Sequence, residues 1–337
     1  MKNRIKALVK LGNYISSNKE EMDELVQSAV HKNQWFVEEF VRQALEAVND
    51  QFLREVKLLE WVSHYNIVNG NKKLNVGIIM AGNLPLVGFH DWLCCFISGH
   101  DTLVKLSSKD DVLLKYLVAK IYELETSDLP KTEFVERLKG FDAVIATGTN
   151  NSALHFEHYF KKYRHIIRRN RTSIAVLDGT ESRAELIAFG HDIFDYFGMG
   201  CRNVSKVFLP EGYDFSLLQE VLEQEFSLIL QHHKYRNNYD YNYTIFLMNQ
   251  TPHKAFSSII LLEREETFSR MASLHYEYYS DLNMVMNKIN NQALNIQCLV
   301  SNSSGIEGEK FSLGQAQFPE LLNYADGVDT MAFLEGL

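Results

Sequence analysis

The chain has 337 residues, 46% of them hydrophobic and 23% charged, with a net charge of −9. That length exceeds one typical domain and predicts two, built on an ordinary globular core. The acidic balance argues against general binding of nucleic acid or anionic membrane, both of which ask for basic surface.

The first ten residues alternate charge with apolar side chains and carry no cleavable hydrophobic core. Residues 1–65 read as helices. Ser17-Asn18-Lys19-Glu20 fits a capping box, and Phe36, Phe40, Ala44, Val48, Phe52, Val56 and Leu59 recur at helical spacing, predicting a packing face. Asn69-Gly70-Asn71 predicts a turn that closes the helical section. From residue 75 short apolar strands (75–81, 102–106, 141–147, 172–177) alternate with helices (86–97, 112–124, 152–163, 181–197). That alternation means βαβ units on a parallel sheet covered on both faces, an α/β protein. Ligands in such sheets sit beyond the carboxyl ends of the strands, which puts the turns at Gly82-Asn83 and Gly148-Thr149 at the expected site. The most apolar stretch, 78–97, is interrupted by Asn83, Pro85, His90 and Asp91 and is a poor membrane span.

The chain is organised around residues 194–210. An amphipathic helix (Leu186, Ile187, Phe189, Ile193, Phe194, Phe197) runs out into Gly198 and Gly200, Cys201 follows, and an alternating strand (Val204, Lys206, Phe208) begins. Cysteine supplies a nucleophile once its pKa is lowered, a role Arg202 is placed to assist; a buried structural thiol beside a turn is the plainer reading. The four cysteines (Cys94, Cys95, Cys201, Cys298) lack CxxC spacing, which suggests neither a zinc site nor a disulfide framework, and a reduced, cytoplasmic, soluble protein is expected. Beyond Cys201 the pattern predicts a strand over 203–209, a helix over 215–232, a polar loop over 234–241, strands over 243–248 and 257–262, a helix over 280–291 and a strand over 295–300. Met331-Ala332-Phe333-Leu334 is apolar enough to dock rather than dangle.

Six segments fall in a telling order: Ala81-Gly82-Asn83-Leu84-Pro85-Leu86, Thr102-Leu103-Val104-Lys105-Leu106-Ser107, Ile145-Ala146-Thr147-Gly148-Thr149, Gly198-Met199-Gly200-Cys201, Arg264-Glu265-Glu266-Thr267-Phe268 and Phe311-Ser312-Leu313-Gly314-Gln315. They resemble, in turn, the Trp-Asn-Phe-Pro-Leu turn, the Val-Val-Lys-Pro-Ser strand, the Phe-Thr-Gly-Ser strand end, the Gly-Gln-Xaa-Cys nucleophile turn, the Glu-Glu-Ile-Phe-Gly-Pro segment and the Pro-Phe-Gly-Gly motif of the aldehyde dehydrogenase superfamily. With Pro319 and Tyr324-Ala325-Asp326-Gly327-Val328-Asp329 the ending is most similar to the LuxC-type acyl-CoA reductase branch. The resemblance implies a Rossmann-type cofactor domain with the helical N-terminus (1–197), a smaller α/β catalytic domain (198–310) and a C-terminal segment (311–337) packing back.

It also implies roles. Cys201 is the nucleophile, and the Asn83 amide with the Cys201 backbone N–H forms the oxyanion hole, although Asn83 alone reads equally as a turn residue. Lys105, a lone lysine in an apolar strand, must reach a sheet edge or meet an anion; the family has it touch the adenosine ribose of a nicotinamide cofactor. Gly148 and Thr149 receive the cofactor's phosphates by resemblance alone, since there is no Gly-x-Gly-x-x-Gly. Glu266 and Phe268 become the nicotinamide-ribose ligand and a ring contact, or with Glu263 and Glu265 a solvated acidic run. His155 and His158 share a helix face without matching metal partners and read as surface. The basic run Arg164, His165, Arg168, Arg169, Arg171 reads as a solvated edge or a phosphate clamp.

One departure bears on the reaction. Where hydrolytic aldehyde dehydrogenases carry Glu-Leu-Gly-Gly-Lys with a water-activating Glu, this chain has Arg168-Arg169-Asn170-Arg171-Thr172-Ser173, with no carboxylate. The expectation is reduction of an acyl thioester, acyl-CoA or an acyl group on a carrier or transferring protein, to an aldehyde, with NADPH as cofactor and NADH open. The rivals are a cysteine acyltransferase or thioesterase without redox chemistry, and a non-catalytic scaffold; a homo-oligomer stays open, the chain being short for its superfamily.

Overall fold

Apolar residues recurring at helical spacing fold the first part of the chain into α1 (Lys2–Ser17), α2 (Lys19–Lys32), α3 (Glu38–Phe52) and α4 (Glu55–Ser63). Each buries one stripe, including Leu8 and Leu11, Leu25 and Val26, Val41 and Leu45, and Leu58 and Trp61. Two local expectations fail here. The helical face does not run on through Val56 and Leu59, which are 77% and 50% exposed, because the chain breaks at Leu53-Arg54 and α4 restarts in another phase. The capping box is not formed: Ser17 ends α1, and the N-cap of α2, Asn18, donates its amide back to the Tyr14 carbonyl at 2.9 Å. The computed structural model describes residues 1–67 and 73–337, so the turn expected at Asn69-Gly70-Asn71 lies outside the described residues.

Strands then alternate with helices: β1 (Asn75–Ile79), α5 (Phe89–Ser98), β2 (Asp101–Lys105), α6 (Leu113–Leu124), β3 (Thr132–Phe134), β4 (Ala143–Thr147), α7 (Asn150–Phe160) and β5 (Arg164–Arg168), of which β3 and β5 add to the predicted elements. The five strands are parallel in the order β3-β2-β1-β4-β5, with Ile79 opposite Lys105 on one side and Ala146 on the other. Strand order reverses at β1, where a doubly wound sheet opens a crevice beyond its carboxyl edge. Helix α5 is buried along nearly its whole length, which explains the apolar stretch that precedes β2. Among the described residues no helix is long and apolar enough to cross a membrane.

The second sheet holds β6 (Thr172–Val176), α8 (Arg183–Phe194), β7 (Val204–Pro210), α9 (Ser216–Glu225), α10 (His233–Met248), β8 (Lys254–Ala255), β9 (Ile260–Glu263), β10 (Ser273–Tyr279), α11 (Leu282–Asn291) and β11 (Ile296–Val300). Its order is β11-β6-β7-β10-β9-β8, parallel except for the antiparallel edge pair β8 and β9. The predicted loop 234–241 and strand 243–248 are one helix, α10. Only Tyr235, Asn242 and Phe246 of it are buried, so its inward stripe is too sparse to read against a tyrosine-rich background. The chain ends in α12 (Thr330–Glu335), which buries Met331 and Leu334.

By contact the chain forms two units, Met1–Asn170 with Pro319–Leu337, and Arg171–Phe318. The division expected at 197/198 cuts across hydrogen-bonded structure: β6 pairs with both β7 and β11, which sets residues 171–197 in the same unit as Cys201. Residues 311–318 belong there too, since the Ser301 N–H donates to the Phe311 carbonyl and the Phe311 N–H to that of Leu299.

Candidate active site

In the second unit a capping box starts α8, Ser182 and Glu185 each accepting the other's backbone N–H. The helix ends at Phe194 and the chain then does something costly. Tyr196 (φ 54°), Phe197 (φ 59°) and Gly198 (φ 71°) are consecutively left-handed, a conformation that disfavours side chains with a Cβ by about 1–2 kcal/mol per residue. Strain of this kind persists where surrounding contacts over-determine it. Here the Tyr196 and Phe197 side chains are buried, the Phe197 ring centre lies 4.2 Å from that of His232, and Asn203 ties the turn to the helix end with its amide.

Cys201 sits on the tight turn that leads into β7 and is half-buried. Its carbonyl accepts the Ser173 hydroxyl at 3.0 Å, and the same hydroxyl lies 2.9 Å from the Cys298 sulfur. The other three thiols are buried: burial pushes Cys298 up to about 11 and holds Cys94 and Cys95 well above the usual thiol range. All three are poor nucleophiles in these surroundings.

The late Phe311-Ser312-Leu313-Gly314-Gln315 segment folds against the same turn. The Asp192 carboxylate, on the last turn of α8, accepts the N–H groups of Gly314 and Ala316 at 2.6 and 3.1 Å. Gly314 is required to lack a side chain, since its φ is +82° and a Cβ would lie 2.9 Å from that of Ala188. Arg202 stacks its guanidinium 5.1 Å from the Phe311 ring centre. The acidic segment is laid beside the start of β7: the Lys206 ammonium donates to the Arg264 and Glu265 carbonyls at 2.9 and 2.7 Å, and the Ser205 hydroxyl to that of Thr267 at 2.6 Å. Glu266 and Phe268 themselves are exposed.

The first unit gathers the other predicted residues along one sheet edge. Asn83 is exposed in the corner after β1, Lys105 ends β2, and Gly148 and Thr149 follow β4. The corner is pinned from beneath. Asn33 donates to the Gly82 carbonyl at 3.3 Å, and Leu86, left-handed at φ 57°, donates its N–H to Asp110 at 2.9 Å. Burial pushes that carboxyl up to about 6. Lys105 is exposed: of the two outcomes open to a lone lysine in an apolar strand, its ammonium reaches the sheet's carboxyl edge, and burial does not oblige it to meet an anion. Thr149 is the N-cap of α7, accepting the Ser152 N–H at 3.3 Å, and a Cβ on Gly148 would lie 2.8 Å from that of Ser152. His155 and His158 are exposed on α7.

The basic run is a solvated edge except at Arg168: Arg164, His165 and Arg169 are exposed on or beside the edge strand β5. Most of it forms β5, and Arg168, 3% exposed, pairs with Asp91 at 2.7 Å while donating to Thr330 at 2.8 Å and to the Ala325 carbonyl. Arg169 pairs with Glu157, and Arg164 donates to the Gly336 carbonyl. The sequence does not single out Asn203, Asp192 or Asp110, and it marks Lys206 only as a strand residue. Their one signal is a polar residue at a helix end, turn or strand start where an apolar one would continue the pattern.

A family model described as acyl-CoA reductase (LuxC) matches residues 7–235. No curated protein matches at a significant level. Among solved structures the chain is similar to aldehyde dehydrogenase 21 from Physcomitrella patens in complex with the reaction product succinate, at 11% identity and TM-score 0.66 over 97% of this chain and 79% of that one. It is similar also to an NAD+ complex of an aldehyde dehydrogenase from Bacillus cereus, at 13% identity and TM-score 0.64 over 90% and 72%. A third likeness is to a mutant aldehyde dehydrogenase C from Pseudomonas syringae complexed with NAD+ and octanal, at 11% identity and TM-score 0.58 over 88% and 71%. At such identities the likeness is one of fold, and the fold is aldehyde-dehydrogenase-like.

Proposed function

The chain belongs to the acyl-CoA reductase (LuxC) family, and on that footing we propose that it reduces an acyl thioester to an aldehyde through an acyl-enzyme on Cys201. The observation that carries this reading is the contrast among the thiols: Cys201 alone is not buried, and it stands just after a strained turn, its own carbonyl held by Ser173 and the preceding Gly200 held by Asn203. The Cys201 thiolate attacks the thioester carbonyl of acyl-CoA, or of an acyl group on a carrier or transferring protein. A carbon–sulfur bond forms, the oxyanion collapses, and the CoA thiolate leaves. The Cys201 N–H and, by family resemblance, the Asn83 amide stabilise the oxyanion. A nicotinamide cofactor, NADPH in this proposal, supplies a hydride when bound, as fits a fold shared with enzymes solved in complex with NAD+. Collapse of the resulting thiohemiacetal expels the Cys201 sulfur and frees the aldehyde.

The sheet edge fits such a cofactor. Gly148 and Thr149 open the N-terminus of α7 to a phosphate, and Lys105 brings an exposed ammonium to the same edge. These three residues would hold it, with Glu266 and Phe268 assigned to the nicotinamide end. Lack of a carboxylate over 168–173 leaves no group there to activate water, which suits hydride delivery over hydrolysis.

The test is to incubate the protein with octanoyl-CoA, with and without NADPH. We expect an octanoyl mass increment on Cys201 that NADPH chases off as octanal, and neither product from Cys201→Ala. Aldehyde from the alanine variant refutes the mechanism. Turnover indifferent to NADPH points to a transferase or thioesterase, and a Cys201 inert to mild alkylation to a scaffold.

A further inference from the structure

One residue holds Gly200, the residue before the nucleophile, by the peptide on each side of it. The Asn203 backbone N–H donates to the Gly200 carbonyl at 3.2 Å, and the Asn203 side-chain oxygen accepts the Gly200 N–H at 2.8 Å. The amide nitrogen of the same side chain donates to the carbonyls of Asp192, Ile193 and Asp195 at 3.2, 3.4 and 2.8 Å. Asn203 is 2% exposed, so these partners are fixed away from water. In a trans peptide the carbonyl oxygen and the following amide hydrogen lie in one plane and point in opposite directions. Anchoring the Gly200 oxygen to Asn203 therefore aims the Cys201 N–H to the far side of that peptide. Ser173 fixes the next peptide by its hold on the Cys201 carbonyl, so both planes flanking the sulfur are set.

We infer that Asn203 is a positioning residue for the oxyanion: its backbone N–H sets the Gly200–Cys201 peptide and so the direction of the Cys201 N–H, and its side chain locks Gly200 and the helix end so that this peptide cannot turn. The inference rests on the proposed role of Cys201 as acyl acceptor. Its consequence is selective. A donor aimed in advance stabilises charge that develops on a carbonyl oxygen and costs no reorganisation when it does. A reaction of the same sulfur that builds no such charge does not need it.

Two reactions of Cys201 separate this role from a merely structural one. Acylation by octanoyl-CoA passes through an oxyanion; alkylation by iodoacetamide displaces iodide and does not. Asn203→Ala keeps the backbone N–H but releases the Gly200 N–H and the three helix-end carbonyls, which frees Gly200 to turn; single-turnover acylation followed by intact-protein mass spectrometry should then slow about 100-fold, the effect of losing one oxyanion donor, while alkylation across pH stays within about threefold. Should the alanine variant not fold, Asn203→Asp carries the test. Its carboxylate cannot donate to the three carbonyls and must swing away, so the same selective loss is expected. Equal slowing of both reactions, or acylation at the wild-type rate, overturns the inference. Wild-type protein that takes up no octanoyl group refutes the acyl-acceptor reading beneath it, a distinct result.

Discussion

Asp192 offers the sharpest test of how the second unit is held together. Its carboxylate is fully buried and its hydrogen-bond partners are two backbone N–H groups, Gly314 and Ala316, rather than a cation. Two effects compete there. Removal from water disfavours the charged form, and accepting N–H bonds favours it. Burial wins, reinforced by the like charge of Asp195, and the carboxyl is pushed up from 3.8 to about 7. Between those values the folded protein keeps a proton that the unfolded chain has released. The stabilisation is therefore fully present at low pH and is lost as pH rises through the window, by about 1.4 kcal/mol per pH unit and about 4 kcal/mol in total. Asparagine does not titrate, so the difference in unfolding free energy between wild type and Asp192→Asn isolates this group from every other carboxylate. Urea unfolding followed by far-UV circular dichroism at about pH 4.5 and about pH 7.5 should find the wild type's advantage over the variant smaller by about 3 kcal/mol at the higher pH. A difference that stays constant, or grows with pH, means that the two N–H bonds outweigh burial and that the reasoning is wrong.

Arg168 and its neighbour give a paired test of where the basic run is spent. Calorimetry of Arg168→Met should register a loss of about 3–5 kcal/mol, because Asp91 is left buried without its partner, while Arg169→Ala, at an exposed ion pair, should cost less than about 1 kcal/mol; similar losses in the two would return the run to the solvent. Gly148→Ala forces the start of α7 to shift, its Cβ lying 2.8 Å from that of Ser152 and 3.0 Å from the Phe156 ring. Steady-state kinetics should then give a KM for NADPH raised about tenfold with that for octanoyl-CoA unchanged, the scale expected when one charge-assisted hydrogen bond to a phosphate is removed, and an unaltered NADPH KM would remove Gly148 from the cofactor's path.

The βαβ alternation was legible because each element carries its own periodicity: β4 is apolar and buried from Ala143 to Ala146, and α6 buries Leu114, Leu117, Val118 and Ile121 at helical spacing. Elements that borrow stability from elsewhere were not. The short edge strand β3 and the strand β5, whose alternation is broken by Arg164 and Arg168, have no apolar signature of their own. β10 lies inside its sheet, flanked by β7 and β9, yet it carries His275 and Glu277 among tyrosines. Glu277 is tolerated because Lys206 from β7 meets it at 2.6 Å, a pairing across 71 positions of sequence that no local pattern announces.

The same physics divides the candidate site. Reactive groups advertise themselves, since a cysteine after two glycines or an asparagine before a proline is a conspicuous local arrangement. Groups that aim them do not, because aiming requires contact with backbone far along the chain: Asp192 reaches Gly314 and Ala316, Ser173 reaches Cys201, and Asp110 reaches Leu86. Each of these holds a backbone group that would otherwise relax, two of them beside left-handed residues whose conformation is unfavourable in isolation. A buried carboxylate or amide in such a place is expensive unless its hydrogen bonds are satisfied, and satisfied bonds of this kind fix direction more than they add stability. Substitutions at Asn203 and Ser173 should therefore disturb the ratio of acylation to simple thiol reactivity before they disturb the fold, whereas substitutions within α5 or β4 should do the reverse.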